Sequence, residues 1–170
     1  MNVSASTITV PTLAGMQDRL VAANINPKTG LSTDYLNHFN EMVMLIELYP
    51  SAPDLREEIL GWKLLSYREH FETSGFRAKA LALLAHDLAA PALKKSLDVI
   101  IAEIETVLLL AQNAIAGERF HGEANPTLHE SAEAVEMLIA RASALINGLA
   151  EPQEASADDA QAAVDALFRR

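Results

Sequence analysis

The chain has 170 residues, half of them hydrophobic but only 5% aromatic, with no cysteine and a formal net charge of −10. That length and apolar content suffice for one domain with a real core and argue against disorder along the whole chain. The acidic balance disfavours nucleic-acid phosphates and anionic lipid as partners, and the missing thiol removes disulfides, thiolate metal sites and thiol catalysis.

The apolar mass is Leu, Ala and Ile, which predicts helices rather than strands. Residues 1–10 are polar and β-branched without a helical period and read as an arm; they lack the basic segment and long apolar run of a secretory signal. Pro11 suits a first helical position, followed by a short amphipathic helix with Leu13, Met16, Leu20 and Val21 inward. Residues 24–30 (NINPKTG) are a loop by their turn signals. Ser32 or Thr33 is expected to cap the next helix, with Asp34 near its positive end. Leu36, Phe39, Val43 and Ile46 form its main stripe, flanked by Met42, Leu45 and Leu48, and YPSAP at 49–53 stops it.

Residues 54–62 predict a short helix with Leu55, Ile59 and Trp62 inward. Ser66 and Glu69 have the spacing of a capping box and open a turn carrying Tyr67, His70 and Phe71. After the break at Ser74-Gly75, residues 77–90 predict a helix with Leu81, Leu84, Ala85 and Leu88 on one side. Pro91 separates it from the next helix, as that helix's first residue. This helix, 91–116, is the most apolar stretch. Leu93, Leu97, Ile100, Ile104, Val107, Ala111 and Ile115 recur at steps of three and four, and Val99, Ile101, Leu108, Leu109 and Leu110 widen the stripe. A helix so apolar belongs in the middle of a bundle. Its uncharged run around Val107–Leu110 falls short of the ~20 residues of a membrane span.

GERFHGEANP at 117–126 is a loop, and Thr127 with Glu130 has capping-box spacing. Leu128, Val135, Leu138, Ala142, Leu145 and Leu149 then repeat up to Glu151-Pro152, so 91–116 and 127–150 should form an antiparallel hairpin. Residues 151–156 read as a linker, and a last helix from Ser156 or Asp159 carries Ala160, Val164, Leu167 and Phe168 on a narrow edge. The expected fold is all-α: an up-and-down helical bundle of about four to five main helices over 11–150, with the arm (1–10) before it and a loosely attached linker and C-terminal helix (151–170) after it.

Two polar aromatic clusters depart from plain bundle chemistry: LSTDYLNHFNE at 31–41, and Trp62 with SYREHF at 66–71. Asn37, His38, Asn40, Tyr67, Arg68 and His70 require hydrogen-bond partners, found either in each other as a buried network or in a ligand. With Tyr35 and Trp62 they have the composition of a recognition surface. The same segments resemble recurring segments of a group of short, acidic, uncharacterised bacterial proteins, over roughly the first half of the chain. That resemblance implies no activity.

His86-Asp87-Leu88-Ala89-Ala90-Pro91 resembles the H-box of histidine kinases and their dimerising phosphotransfer domains, in which a helical His is followed by an acidic residue, a Leu, two variable positions and a Pro. The resemblance implies a phosphoryl-accepting imidazole whose other nitrogen is held by Asp87. It covers six residues and the helical hairpin after them. Ala89 stands where the family has a basic residue, and no Gly-rich lid or N-box is present, so the implied role is phosphotransfer or docking rather than autophosphorylation. The plain alternative is a helix-end His beside an Asp, with Pro opening the next helix.

His38 with Glu41, His121 with Glu123 and His129 with Glu130 approach metal-ligand spacing, but the paired Glu-x-x-His of a four-helix carboxylate site is absent. No G-x-S-x-G or grouped glycines occur. Lys63, Arg68, Arg77, Lys79, Lys94 and Lys95 outnumber Glu69, Glu72 and Asp87 locally, a basic stretch that is either a solvated face or a dock for an acidic partner. The expected function is therefore a non-enzymatic, cytoplasmic regulatory or adaptor protein without a cofactor. It binds another protein or, as a homodimer, a second copy of itself, through Tyr35, Asn37, His38, Asn40, Trp62, Tyr67, Arg68 and His70. Histidine phosphotransfer through His86 (with Asp87) and a small-molecule or metal-binding bundle are the alternatives; neither nucleic acid nor membrane is expected as a partner.

Overall fold

A computed structural model of the chain describes residues 10–117 and 126–152. The arm at 1–9, the His121–Glu123 pair and the C-terminal helix expected from Ser156 lie outside the described residues. Those described form an all-α fold. Its helices are α1 (Gln17–Ala22), α2 (Asn37–Leu48), α3 (Arg56–Gly61), α4 (Tyr67–Thr73), α5 (Lys79–Leu88), α6 (Pro91–Gly117) and α7 (Pro126–Ile146), and 3-10 turns lead into the first three.

The centre is the pair α6–α7. All seven residues of the α6 stripe are buried, as are Ile101 and Leu108 from the flanking set, whereas Leu109 and Leu110 remain 50% and 43% exposed. The helix is thus covered over a broad arc and open on one side. Its 27 residues make it about 40 Å long. Eight connecting residues reach at most about 29 Å, so α7 starts near the end of α6 and runs back along it. α7 in turn packs on α2, and α3 covers part of α6. By length and composition α6 could cross a bilayer, a property the count of uncharged residues alone missed and one that core helices of bundles share. Mid-helix, the Glu103 side chain is 3% exposed and accepts from Arg141 Nη1 of α7 at 2.8 Å. Burial raises its pKa and Arg141 opposes the rise.

Several boundaries follow the sequence chemistry. Ser32 caps the 3-10 turn into α2 by accepting from the Asp34 N–H. Ser66 and Glu69 form the reciprocal capping box of α4. Pro91 opens α6 as its first residue, with α5 ended at Leu88. Others differ. Pro11 lies ahead of the first turn, which begins at Ala14, and Gly15 N–H donates to Thr12 Oγ1 there. α7 begins at Pro126, so Thr127 is its second residue rather than its cap. It ends at Ile146, not near Ala150. Gly148 takes φ +68° and Leu149 N–H closes back on the Ala144 carbonyl at 2.8 Å, a Schellman closure that turns Leu149 out to 82% exposure.

α5 corrects the expected inner face. Ala82, Ala85 and Ala89 are buried, Leu81 and Leu88 are partly buried against the core, and Leu84 faces out. The cause is what lies opposite: the loop before α2 approaches with its backbone. Gly30 sits at φ +74°, and a Cβ there would lie 2.6 Å from the Ala85 carbonyl oxygen. Only small residues on α5 let the loop in so close. Val21 and Leu48, also assigned inward by their spacing, are likewise exposed.

Candidate functional site

The site is assembled on the loop and turn before α2. Asn24, at φ +56°, directs its amide to Asp34 Oδ2 at 2.9 Å, and Ser32 Oγ lies 2.9 Å from both the Asn24 carbonyl and that carboxylate. Thr29 Oγ1 donates to the Ile146 carbonyl at 2.6 Å, so the loop also closes the end of α7. This fixes Tyr35 on the last turn before α2. Its hydroxyl donates to the Leu65 carbonyl at 2.8 Å. From α4, Tyr67 Oη accepts the Ser32 N–H at 2.9 Å.

The two polar aromatic clusters thereby become one. The Tyr35 ring meets Phe39, Tyr67 and His70 edge-on, with centroids 5.2–5.6 Å apart. His38 stacks on Trp62 at 4.6 Å and 21°, and Tyr67 stacks on His86 at 4.6 Å and 16°. Tyr35 and Tyr67 are buried, His38, His70 and Trp62 half-buried, and Asn37, Asn40 and Arg68 exposed. Five of the eight residues expected to form a contact surface therefore point into a shared network, and three stay on the outside. Burial raises the pKa of both tyrosines; for Tyr35 the carboxylates of Asp98, Glu69 and Glu105 add to the rise. Burial lowers the pKa of His38, His70 and His86, so the neutral imidazole is favoured at all three.

His86 is not the freely exposed imidazole that the H-box resemblance implies. Its side chain is 22% exposed, one face is taken by Tyr67, and Nδ1 is buried without a hydrogen-bond partner. Asp87 lies 3.9 Å from that nitrogen, too far for a hydrogen bond, and is instead held by Arg68 Nη2 at 2.7 Å. His129 faces Glu133 at 3.5 Å, one turn on, rather than Glu130. Among the described residues no three His, Asp or Glu side chains converge as a metal set.

Between the turn before α2, α4, α5 and α6 lies a cleft of about 360 Å³, lined by Tyr35, Tyr67, His86, Lys94, Asp98 and Glu105 together with Leu64, Ser66, Glu69, Leu97, Ile101 and Ala102. Burial raises the pKa of Asp98 against the opposing charge of Lys94. The charged residues of α6 were not among the expected site residues. Their signal was present: Lys94, Asp98 and Glu105 fall four and seven apart, one polar line on a helix otherwise read only for its apolar stripe. Chemically, the cleft offers aromatic walls, one ammonium, three carboxylates and a half-buried imidazole, and the Ser66 hydroxyl donates to the Glu69 carboxylate at 2.7 Å as part of the α4 capping box. No family model, curated protein or solved structure matches this chain.

Proposed function

We propose that this protein is a non-enzymatic regulatory bundle that responds to a small ligand held in the cleft between α4, α5 and α6. The observation that carries the reading is the state of the cleft's charges. Lys94, Asp98 and Glu105 form no ion pair among the described residues, yet they stand beside two buried tyrosines in a cleft whose volume is at the small end of ligand sites. Such sites combine aromatic and apolar walls with a few placed polar groups. Catalysis has less support, because the hydroxyl–carboxylate pair in the cleft, Ser66 Oγ on Glu69 Oε2 at 2.7 Å, is engaged in the capping box of α4. Phosphotransfer through His86 also has less support, with the ring stacked on Tyr67 and Asp87 held by Arg68.

A second reading keeps the adaptor role. Leu109 and Leu110 on α6 and Met137 on α7 are 43–57% exposed, which favours a protein partner or a second copy covering the hairpin, with Asn37, Asn40 and Arg68 as the remaining polar contacts.

The ligand reading is tested by thermal unfolding against a panel of small amines, carboxylates and nucleotides. A genuine ligand at about 100 times its Kd should raise the Tm by about 5–10 °C, and Lys94→Ala or Asp98→Asn should abolish that rise while changing the Tm of the free protein little. A panel that leaves the Tm unmoved, or a rise that survives both substitutions, rejects the cleft as the site.

A further inference from the structure

Residues 62–66 cross from α3 to α4 as an extended strap and supply Leu64 and Ser66 to the cleft wall. Side chains tie the strap down from three places. Gln112 Nε2 of α6 donates to the Ile59 and Trp62 carbonyls at 2.7 and 3.1 Å. Tyr35 Oη donates to the Leu65 carbonyl at 2.8 Å. The third tie is His38 Nε2, which lies 3.1 Å from the Leu65 N–H and also 3.1 Å from the Lys63 carbonyl.

One ring nitrogen cannot serve both. With a lone pair, Nε2 accepts from Leu65; with a proton, it donates to Lys63. Burial decides between them. The Leu65 N–H is part-buried and has no other acceptor among the described residues, whereas the Lys63 side of the strap is exposed and its carbonyl has water available. The neutral ring therefore serves best with its proton on Nδ1 and its Nε2 lone pair on Leu65. Gln112 carries no titratable group and burial pushes the Tyr35 hydroxyl up, away from neutrality; of the three ties only His38 gains a proton as the solution turns acidic, later than a free imidazole because burial lowers its pKa.

We infer that His38 is a proton-operated latch on the 62–66 strap: the neutral ring holds Leu65, and the imidazolium donates to the Lys63 carbonyl and lets Leu65 go. A second observation shows that the held strap is not fully satisfied. The indole Nε1 of Trp62, whose ring stacks on His38, is buried without a hydrogen-bond partner, at a cost in stability. The groups facing the ring are few. His70 of α4 lies 6.2 Å away, centroid to centroid, and disfavours its charge; Glu41, one turn on along α2, and the Lys63 carbonyl favour it; burial disfavours it most. Trp62 stacks on the ring and Phe39 meets it in a T-shaped contact, both without charge. Tyr35 and Gln112 still hold the strap at the Leu65 and Trp62 carbonyls, so what acid changes is the anchoring of the Leu65 N–H, between Leu64 and Ser66 of the cleft wall. The inference does not depend on any ligand occupying that cleft.

The test is amide exchange at Leu65, followed by NMR from about pH 8 downward until the His38 ring signals have titrated, which burial places below the ordinary imidazole value of about 6.5. After correction for intrinsic exchange, protection at Leu65 should fall about tenfold with the midpoint of the His38 ring signals, while Ile104 in α6 stays protected. Trp62, the single tryptophan, stacks on the ring, and its emission should change with the same midpoint. In His38→Gln, whose amide does not titrate, Leu65 exchange and Trp62 emission should lose that midpoint. The ¹⁵N shifts of His38 in the unmodified protein give a check that needs no variant. An Nε2-protonated ring at neutral pH, or Leu65 protection indifferent to the His38 titration, would overturn the latch.

Discussion

The α6–α7 hairpin and the segment from Asn24 to Phe76 are built on different principles. In the hairpin, Leu97, Ile100, Ile104 and Val107 of α6 and Ala132, Val135, Leu138 and Ala142 of α7 are all buried; polar side chains among its buried residues are Ser96, Ser131 and Glu103, the last paired with Arg141. In the earlier segment the helices span six to twelve residues, too short to be stable alone. Beside buried apolar side chains such as Phe39, Ile46, Ile59 and Phe71, their arrangement uses single polar atoms: Tyr67 Oη on Ser32, Tyr35 Oη on Leu65, Gln112 Nε2 on the α3 end, and Thr29 Oγ1 on the α7 end. Burial spread over many methyl groups yields to substitution in proportion to volume. A shape held by individual hydrogen bonds loses one region at a time and senses protons.

The contrast predicts where each half breaks. Ile104 is fully buried at the middle of α6, so Ile104→Ala should cost about 3–5 kcal/mol, measured by urea unfolding, whereas Ile104→Leu should cost less than about 1.5 kcal/mol. Equal losses for the two would mean that shape, not volume, governs the hairpin. Tyr67→Phe keeps the ring and its stack on His86 but removes the acceptor of the buried Ser32 N–H. It should cost about 1–3 kcal/mol, with increased amide exchange at Ser32 and little change in α6. A loss spread evenly over both halves would show that the segment is not energetically distinct from the hairpin.

The same contrast explains what could be read from the sequence. Period alone identified the α6 stripe residue by residue, because a helix facing other helices places its apolar groups at steps of three and four. On α5 it placed Ala85 inward correctly but also favoured Leu84, which faces out, and left out Ala82 and Ala89, which are buried. The neighbour there is the backbone around Gly30, and no periodicity encodes a backbone neighbour. It failed at Leu149 because Gly148 ends the helix before the stripe does. Unusual composition marked Tyr35, His38, Trp62, Tyr67 and His70 as belonging together, which they do, but composition carries no direction, and they turn inward. Asp98 and Glu105 were passed over because α6 was read for its oily face, although their spacing with Lys94 lay in plain view.

The smallest expected effect is also the one that separates the halves most sharply. Burial holds the imidazoles of His38, His70 and His86 below their ordinary value, which is about 6.5. As pH falls through that value the unfolded chain takes up these protons before the folded chain does, so stability declines. The contribution of the three histidines is complete above about pH 6.5 and is lost as pH falls toward and through their folded values. Each ring is only partly buried, which keeps the effect modest. Asp98 and Glu103 act with the opposite sign: burial raises both, so acid that protonates them in the folded chain adds stability. The slope of Tm against pH from about 7.5 to about 5.5 should therefore be positive in the native chain and flatter in His38→Gln and His70→Gln. It should be unchanged in Ile104→Ala, which leaves all three rings in place. A hairpin variant that flattened the slope as much as a histidine variant would mean that the proton sensitivity belongs to the whole bundle rather than to the aromatic cluster around α2 and α4.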